Sequence, residues 1–365
     1  MKVVFNEGQL NNLRRAIAVC PTRSTLPVLQ CVLIDVEKEH AVFTCTNLEQ
    51  SIQVVCETST VEAEGKALVN GQKLARLVAS LSGGTVTMEL KEHTLHISSG
   101  GSRFKFTTLP IDDFPETPTV DKVPTCTTPP ARQFVDALQS VAVATSKDAT
   151  RLILNGMLMQ VTDTNSCVLS GTDGKRLHRN LVDIESDAAM KDSATIMPAE
   201  LIALLPRVLD AQAPVTIGFE GAFIQIRQER FYCVSKALDG MFPNVNQVIP
   251  PSFKSNTDFD PQPLQSALKR LALAFDSMDA CELTVNTEGL KVSAQNVESA
   301  GEEDVLFGAS AYFGDTIKFA LSYPLFVNAV EHLSSEPATL SWNDEFSPLR
   351  IEQNGFLAIL MPMRQ

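Results

Sequence analysis

The 365-residue sequence predicts an α+β protein made of three copies of one unit, each with two helices and about eight strands. Three observations predict it. Two sets of helical periodicity each recur three times, short alternating runs lie between them, and proline-rich stretches mark the joins.

The first helical set falls at 7–20, 131–148 and 261–275. Leu10, Leu13 and Ile17 share one face, then Phe134, Leu138 and Val141, then Leu264, Leu268, Leu271 and Phe275. Alternation predicts strands with one buried face at 41–45, 85–90, 94–98 and 103–107. The second helical set falls at 70–81, 199–209 and 324–334. It carries Leu74, Leu77, Val78 and Leu81, then Leu201, Ile202, Leu205 and Leu209, then Leu325, Phe326, Ala329, Val330 and Leu333. After each comes a hairpin pattern and an aromatic strand: Arg103-Phe104-Lys105-Phe106 ahead of Asp113-Phe114-Pro115, Arg230-Phe231-Tyr232 ahead of Asp239-Gly240-Met241-Phe242-Pro243, and Gly355 to Leu360 ahead of the terminus. Polar turns at Thr46-Asn47-Leu48, Thr172-Asp173-Gly174 and Gln295-Asn296-Val297 keep the same spacing. Five prolines between Pro115 and Pro130 and four between Pro250 and Pro263 set domains at 1–124, 125–251 and 252–365. Each is large enough for its own core.

Composition narrows the function. Hydrophobic residues make up 44% and charged residues 20%, as in ordinary globular chains. The net charge of −13 excludes a uniformly basic coat, but not a basic surface inside an acidic shell. No apolar run reaches the ~18–20 residues of a membrane helix, and Met1 to Glu7 lacks a signal-peptide core, so a cytoplasmic protein is expected. Eight scattered cysteines with no C-x-x-C pair read as reduced, mostly buried thiols. On the six helical spans, nine basic residues (Arg14, Arg15, Lys73, Arg76, Arg132, Lys147, Arg207, Lys269, Arg270) face five acids, a net +4 that leaves −17 for the rest. Two readings stand: ordinary solvated faces, or a positive helical surface suited to a polyanion bound without regard to sequence.

Catalytic and metal readings are poor. Gly171 to Arg176 lacks the spacing of a phosphate loop. His93-Thr94-Leu95-His96 puts its two histidines on opposite faces of a strand. No nucleophile–histidine set stands out among five histidines, so no catalytic residue, metal or cofactor is expected.

Five segments in chain order then resemble one family. They are Arg23 to Leu29; Ser102-Arg103-Phe104 with Thr108-Leu109-Pro110 and Asp113-Phe114-Pro115; Arg151 to Leu158 followed by Gly171-Thr172-Asp173-Gly174-Lys175-Arg176-Leu177; Ser235-Lys236 with Asp239-Gly240 and Phe242-Pro243; and Met361-Pro362-Met363-Arg364. Together they are similar to the bacterial DNA polymerase III β sliding clamp across the whole chain.

The resemblance implies a DNA-clamp fold and a head-to-tail homodimeric ring. Helices line its hole, double-stranded DNA is encircled without sequence preference, and the ring is a non-catalytic processivity factor. Arg23, Lys73 and Lys147 match DNA-facing positions, and Arg14, Arg207 and Lys269 join them from the helix faces. A groove for short peptides of the polymerase III core, the clamp loader and other clamp-binding proteins is implied at Leu154, Thr172, Gly174, Lys175, Arg176, Leu177, Pro243, Val248, Ile359, Met361, Pro362, Met363 and Arg364. Its methionines suit varied apolar anchors, and Arg176 and Arg364 suit polar groups or carboxylates. The dimer edge is implied at Phe104 and Phe106 against Leu273 and Ala274, although alternation leaves the two phenylalanines open to an ordinary core role.

Leu152-Ile153, Lys175, Gln247 and Gln365 depart from the family pattern, and the 324–334 helix carries no Lys or Arg. These departures keep a divergent accessory clamp as a second reading. A repeat-built α+β transferase with an interdomain active site is the rival from another class.

Overall fold

The computed structural model describes every residue except 7, 82–83, 119–122, 129, 276–277, 296–299, 307–311, 313 and 365. Glu7, the Asn296-Val297 part of the third polar turn and Gln365 therefore lie outside the described residues. The chain forms two compact units. One holds Met1–Arg132, Glu185–Met190 and Ala203–Ala237, and the other holds Gln133–Ile184, Lys191–Ile202 and Leu238–Gln365.

The first unit contains two antiparallel sheets. The five-stranded sheet runs Thr60–Ala63, Lys2–Asn6, Thr85–Lys91, Thr94–Ser99, Ser102–Thr107. The nine-stranded sheet runs Glu185–Ser186, Thr125–Thr128, Val215–Glu220, Phe223–Gln228, Phe231–Lys236, Gln50–Glu57, His40–Thr46, Cys31–Val36, Gly65–Asn70. Its middle joins strands far apart in sequence, with Cys233 opposite Ile52 and Ser235 opposite Gln50. A sheet of this kind spans two sequence repeats, so one compact unit contains parts of both. Phe5 and Phe43 are fully buried in this unit with ring centroids 6.0 Å apart.

The second unit repeats the plan. Its eight-stranded sheet runs Ala194–Met197, Met157–Asp163, Ser166–Thr172, Arg176–Asp183, Phe356–Leu360, Leu349–Gln353, Ala338–Trp342, Ser255–Phe259. A four-stranded sheet runs Ala300–Leu306, Gly289–Gln295, Ala280–Val285, Ile317–Ser322. The single tryptophan, Trp342, is buried edge-on to Phe319 at 6.0 Å and anchors a large apolar core with Phe326 and Leu268.

The helices stand where the periodicity put them, with shorter bounds. Gly71–Ser80, Ala131–Ala142, Ala199–Val208, Pro261–Ala272 and Tyr323–Val330 are α-helical. The expected 7–20 helix is instead a chain of tight turns, with 3-10 segments Gly8–Asn12 and Ile17–Val19 flanking one α turn, Leu13–Ala16. Asn6 and Gln9 exchange side-chain to backbone hydrogen bonds at 2.8 and 2.9 Å, a reciprocal cap on the first turn, whereas Asn12 gives no side-chain cap to the α turn after it. Leu10, Leu13 and Ile17 are nevertheless buried together. The expected 131–148 helix ends at Ala142, where the Thr145 hydroxyl donates to the Ala142 carbonyl at 2.8 Å and turns the chain. Lys147 is therefore on a loop.

All eight cysteines are buried and free. Burial pushes the thiols of Cys56, Cys126, Cys233 and Cys281 up to about 12, so they are un-ionised at neutral pH. No described helix is long and apolar enough to cross a membrane.

Candidate functional site

Helix Gly71–Ser80 shows how the chain presents a cation. Asn70 caps it by accepting from the Lys73 backbone amide at 2.9 Å. Gly71 lies so close to the first turn that a Cβ would sit 3.1 Å from Ile17 Cγ2. Leu74 and Ala75 are buried below, which leaves Lys73 and Arg76 on the exposed face. The six predicted DNA-facing residues, Arg14, Arg23, Lys73, Lys147, Arg207 and Lys269, are all exposed, and none of their side chains has a hydrogen-bonding or ion-pair partner among the described residues. Lys147 and Arg23 reach this state from loops, the others from helices.

Strand cations behave differently. Lys2, Lys66, Lys91, Lys236, Lys291, Lys318 and Arg350 each pair with a carboxylate. Two helix cations also depart from the free pattern. Arg15 donates to the Val208 carbonyl at 2.6 Å and to Gln228 Oε1 at 3.1 Å, and it lies 4.9 Å over the Phe231 ring. Arg270 forms a two-pronged pair with Glu303 at 3.0 and 2.8 Å. Both belong to the fold and should be struck from the count of available charge.

The second unit assembles the groove residues around one turn and one strand pair. In Thr172–Arg176 the Asp173 carboxylate accepts from the amides of Lys175 (2.9 Å) and Arg176 (3.1 Å), and the Thr172 hydroxyl accepts from Gly174 N at 3.1 Å. Gly174 takes the left-handed φ of 87° that closes this turn. Strand Arg176–Asp183 then pairs with Phe356–Leu360, with Leu177 opposite Ile359, and the Met361 amide donates to the Lys175 carbonyl at 3.3 Å. Leu177, Ile359 and Val245 form a small buried cluster, flanked by Phe242, Ile249 and Leu357. Val248 and Met361 are exposed beside it. Leu154 is half-buried, and its carbonyl accepts from Ser146 N at 2.8 Å. Pro243 is exposed next to Phe242.

Two expectations need correction. Arg176 is not the exposed cation expected: it is 7% exposed, its Nε pairs with Asp173 at 3.1 Å, Nη2 donates to the Val143 carbonyl, and Nη1 is buried without a partner among the described residues. Burial demands such internal partners, and Arg176 works as a pin for the turn. Leu152 and Ile153, which depart together from the family pattern, differ in setting: Leu152 is 66% exposed, whereas Ile153 packs on Gly240, whose φ of 142° and missing Cβ (2.5 Å from Ile153 Cδ1) admit it. Leu273 and Ala274 are exposed just past helix Pro261–Ala272, beside the sheet edge and not on it.

Met363 and Arg364 run on from Met361, with the Met363 amide donating to the Ala320 carbonyl at 2.7 Å. They line a cavity of about 690 Å³ with Phe346, Lys318, Glu282 and Glu345. Phe346, 64% exposed, escaped the sequence reading. Its signal was an aromatic inside the polar turn Asn343 to Ser347, which Asp344 closes by accepting from the Phe346 and Ser347 amides.

Behind the turn, His178 is fully buried, with Nδ1 2.8 Å from the Ser140 carbonyl and its ring edge-on to Phe356. Burial drops it to about 4, so it is neutral at physiological pH. Among the described residues no group of three or more His, Cys, Asp or Glu is placed to hold a metal ion.

Two sheets end in strands of opposite residue type, though Glu302 pairs with Lys291 and Glu303 with Arg270. Ser102–Thr107 ends the five-stranded sheet with Arg103 and Lys105, which have no partner among the described residues, and Phe104 is 38% exposed there. Phe104 is thus an edge residue and not core. Ala300–Leu306 ends the four-stranded sheet with Glu302, Glu303 and Asp304.

Comparison with known proteins gives a consistent picture. The chain matches the DNA polymerase III beta subunit families: the N-terminal domain over residues 1–118, the central domain over 129–244 and the C-terminal domain over 246–364. It is 26% identical to the beta sliding clamp of Chlamydia pneumoniae over all of this chain and 99% of that one. The DNA polymerase III subunit beta of Pseudomonas aeruginosa is 25% identical, with a TM-score of 0.91 and full coverage of both chains. The sliding clamp of that organism bound to griselimycin is also 25% identical, with a TM-score of 0.90 and full coverage. Three consecutive domain matches, full-length relatives and a common fold establish that this chain belongs to the DNA polymerase III β-subunit family, the sliding clamps.

Proposed function

We propose that two copies of this chain close head to tail into a ring around duplex DNA, tethering a replicative polymerase without catalysing a reaction. The observation that carries the reading is the sorting of cations by partner: strand cations are largely neutralised by carboxylates, whereas Arg14, Lys73, Arg207 and Lys269 on helices, with Arg23 and Lys147 on loops, are exposed and free. Free cations attract phosphates by counterion release and read no base, which suits a sliding tether. The edge strands Ser102–Thr107 and Ala300–Leu306 support strand-to-strand joining, with Phe104, Phe106, Leu273 and Ala274 at the seam and the unpaired Arg103 and Lys105 available to carboxylates across it. Family domain matches support boundaries near 1–124, 125–251 and 252–365.

The groove built on Leu177, Ile359, Val248 and Met361 would take apolar anchors of linear peptides from the polymerase core, the clamp loader and repair proteins, with Leu154, Thr172, Gly174, Lys175, Pro243, Pro362, Met363 and Arg364 around them. The griselimycin-binding relative makes that compound the natural probe. The reading needs neither cofactor nor metal and places the protein in the cytoplasm. The family assignment favours a clamp over the repeat-built transferase.

The test is loading by the cognate loader. A dimer near twice 39.7 kDa should be retained on closed circular DNA and run off once the circle is cut. Reversing Arg23 and Lys73 to Glu should shorten primer-extension products. A monomer that leaves circular and linear DNA equally fast refutes the ring.

A further inference from the structure

The turn that frames the proposed peptide groove has a duplicate in the first unit. In Thr46–Gln50 the Thr46 hydroxyl donates to the Gln50 carbonyl at 3.0 Å, as Thr172 does to Arg176 at 2.5 Å. The Leu48 amide donates to Thr46 Oγ1 at 3.1 Å, as Gly174 does to Thr172. Asn47 Oδ1 accepts from the amides of Glu49 (3.0 Å) and Gln50 (2.7 Å), as Asp173 does from Lys175 and Arg176. Each following strand pairs with a strand from the next repeat, placing Ser51 opposite Val234 where Leu177 is opposite Ile359. The Lys236 amide then donates to the Glu49 carbonyl at 2.9 Å, as Met361 does to Lys175. The outer contact differs by one position: Gln53 donates to Thr117, three residues past Phe114, at 3.3 Å, whereas Arg179 donates to Asn246, four residues past Phe242, at 2.9 Å.

The frames match, but the surfaces built on them differ. The floor of Leu177, Val245 and Ile359 becomes Ser51, Thr117 and Val234, with the Ser51 hydroxyl bonded to Thr46 Oγ1 at 2.8 Å. At the rim, Lys175 and Met361 become Glu49 and Lys236, joined as an ion pair at 3.0 Å. Leu48 holds a φ of 76° where the other turn uses Gly174, putting a branched side chain where the groove has none. An apolar anchor entering here would bury serine and threonine hydroxyls and separate a charge pair.

Resting on the peptide-groove reading, we infer that Leu48, Glu49, Ser51, Thr117 and Lys236 are specificity determinants that act by exclusion. They keep the first frame polar and shut, and confine apolar peptide docking to one groove per chain.

Calorimetric titration of the full-length chain with griselimycin tests this. The natural chain should bind at one site, lost on Met361→Lys. A chain carrying Leu48→Gly, Glu49→Lys, Ser51→Leu, Thr117→Val and Lys236→Met should gain a second site that survives Met361→Lys. If the buried Ser51→Leu change prevents folding, judged by circular dichroism, the graft without it should still show a second site, at least about tenfold weaker than the native one. Folded grafts with one site, or a natural chain with two, overturn the inference. A natural chain that binds none, or that still binds after Met361→Lys, refutes the groove reading itself and this inference with it.

Discussion

Lowering the pH from about 7.5 to about 5 should cost the unit that contains His178 about 2 kcal/mol of stability. The imidazole is fully buried against the Ser140 carbonyl and Phe356, with Arg176, Asp173 and His332 as its charged neighbours, and burial holds it near 4. The fold accommodates the neutral ring, so the unfolded chain takes up the proton first, near the ordinary 6.5. Stability is then full above that value, falls as the pH drops through the window from about 6.5 to about 4, and stops falling below it. A drop of this size is worth at most about 3 kcal/mol, with a slope near 1.2 kcal/mol per pH unit around pH 5.5. Trp342, the only tryptophan, lies in the same eight-stranded sheet and reports urea unfolding by fluorescence. Burial also lowers His332, so the decisive quantity is a difference. His178→Gln keeps a donor for the Ser140 carbonyl but does not titrate, and it should flatten the slope between pH 5 and 6 by roughly 1 kcal/mol per unit. Parallel curves for the natural chain and His178→Gln would refute the reasoning.

Two further predictions separate structural from ligand-directed residues. Arg15→Ala should cost about 2–3 kcal/mol in chemical denaturation, because it removes charged hydrogen bonds to Val208 and Gln228. Its exposed neighbour Arg14, changed to Ala, should leave stability within about 0.5 kcal/mol but lower the salt dependence of DNA retention by about one phosphate's share. Gly240→Ala should destabilise the second unit by about 1–3 kcal/mol through its φ and the clash with Ile153, and Ile153→Ala should recover part of that loss in a double-mutant cycle.

Faces were legible in the sequence, and partners were not. Leu10, Leu13 and Ile17 share a buried face because 3.6-residue spacing shows which side is apolar, whether or not the backbone completes an α-helix. Thr172-Asp173-Gly174 could be read because its turn chemistry is local. Nothing local announces that Gln50–Glu57 pairs with Phe231–Lys236, about 180 residues on, since alternation fixes which face a strand buries and not which strand lies beside it. Arg176 was misread for the same reason. Its type and spacing suit a carboxylate, but the Val143 carbonyl that occupies it belongs to a loop after another helix. Lys147 left its predicted helix because Thr145 found a carbonyl within its own turn, a competition that periodicity does not register.

Charge shows most clearly why partners matter more than counts. Within the helices as folded, eight basic residues stand against two acids, a sharper imbalance than the predicted spans gave, because Glu7, Lys147, Asp148 and Glu331 fall outside the described helices. Yet the count overstates the free charge. Arg15 and Arg270 are committed to Val208 and Glu303, while Arg23 and Lys147, on loops, are free. On the strands the reverse holds: paired lysines leave the surplus carboxylates as the net field, which repels phosphate. A chain of −13 can therefore favour DNA at one surface and disfavour it elsewhere, and a few unpaired cations suffice where closure, not affinity, keeps the two together.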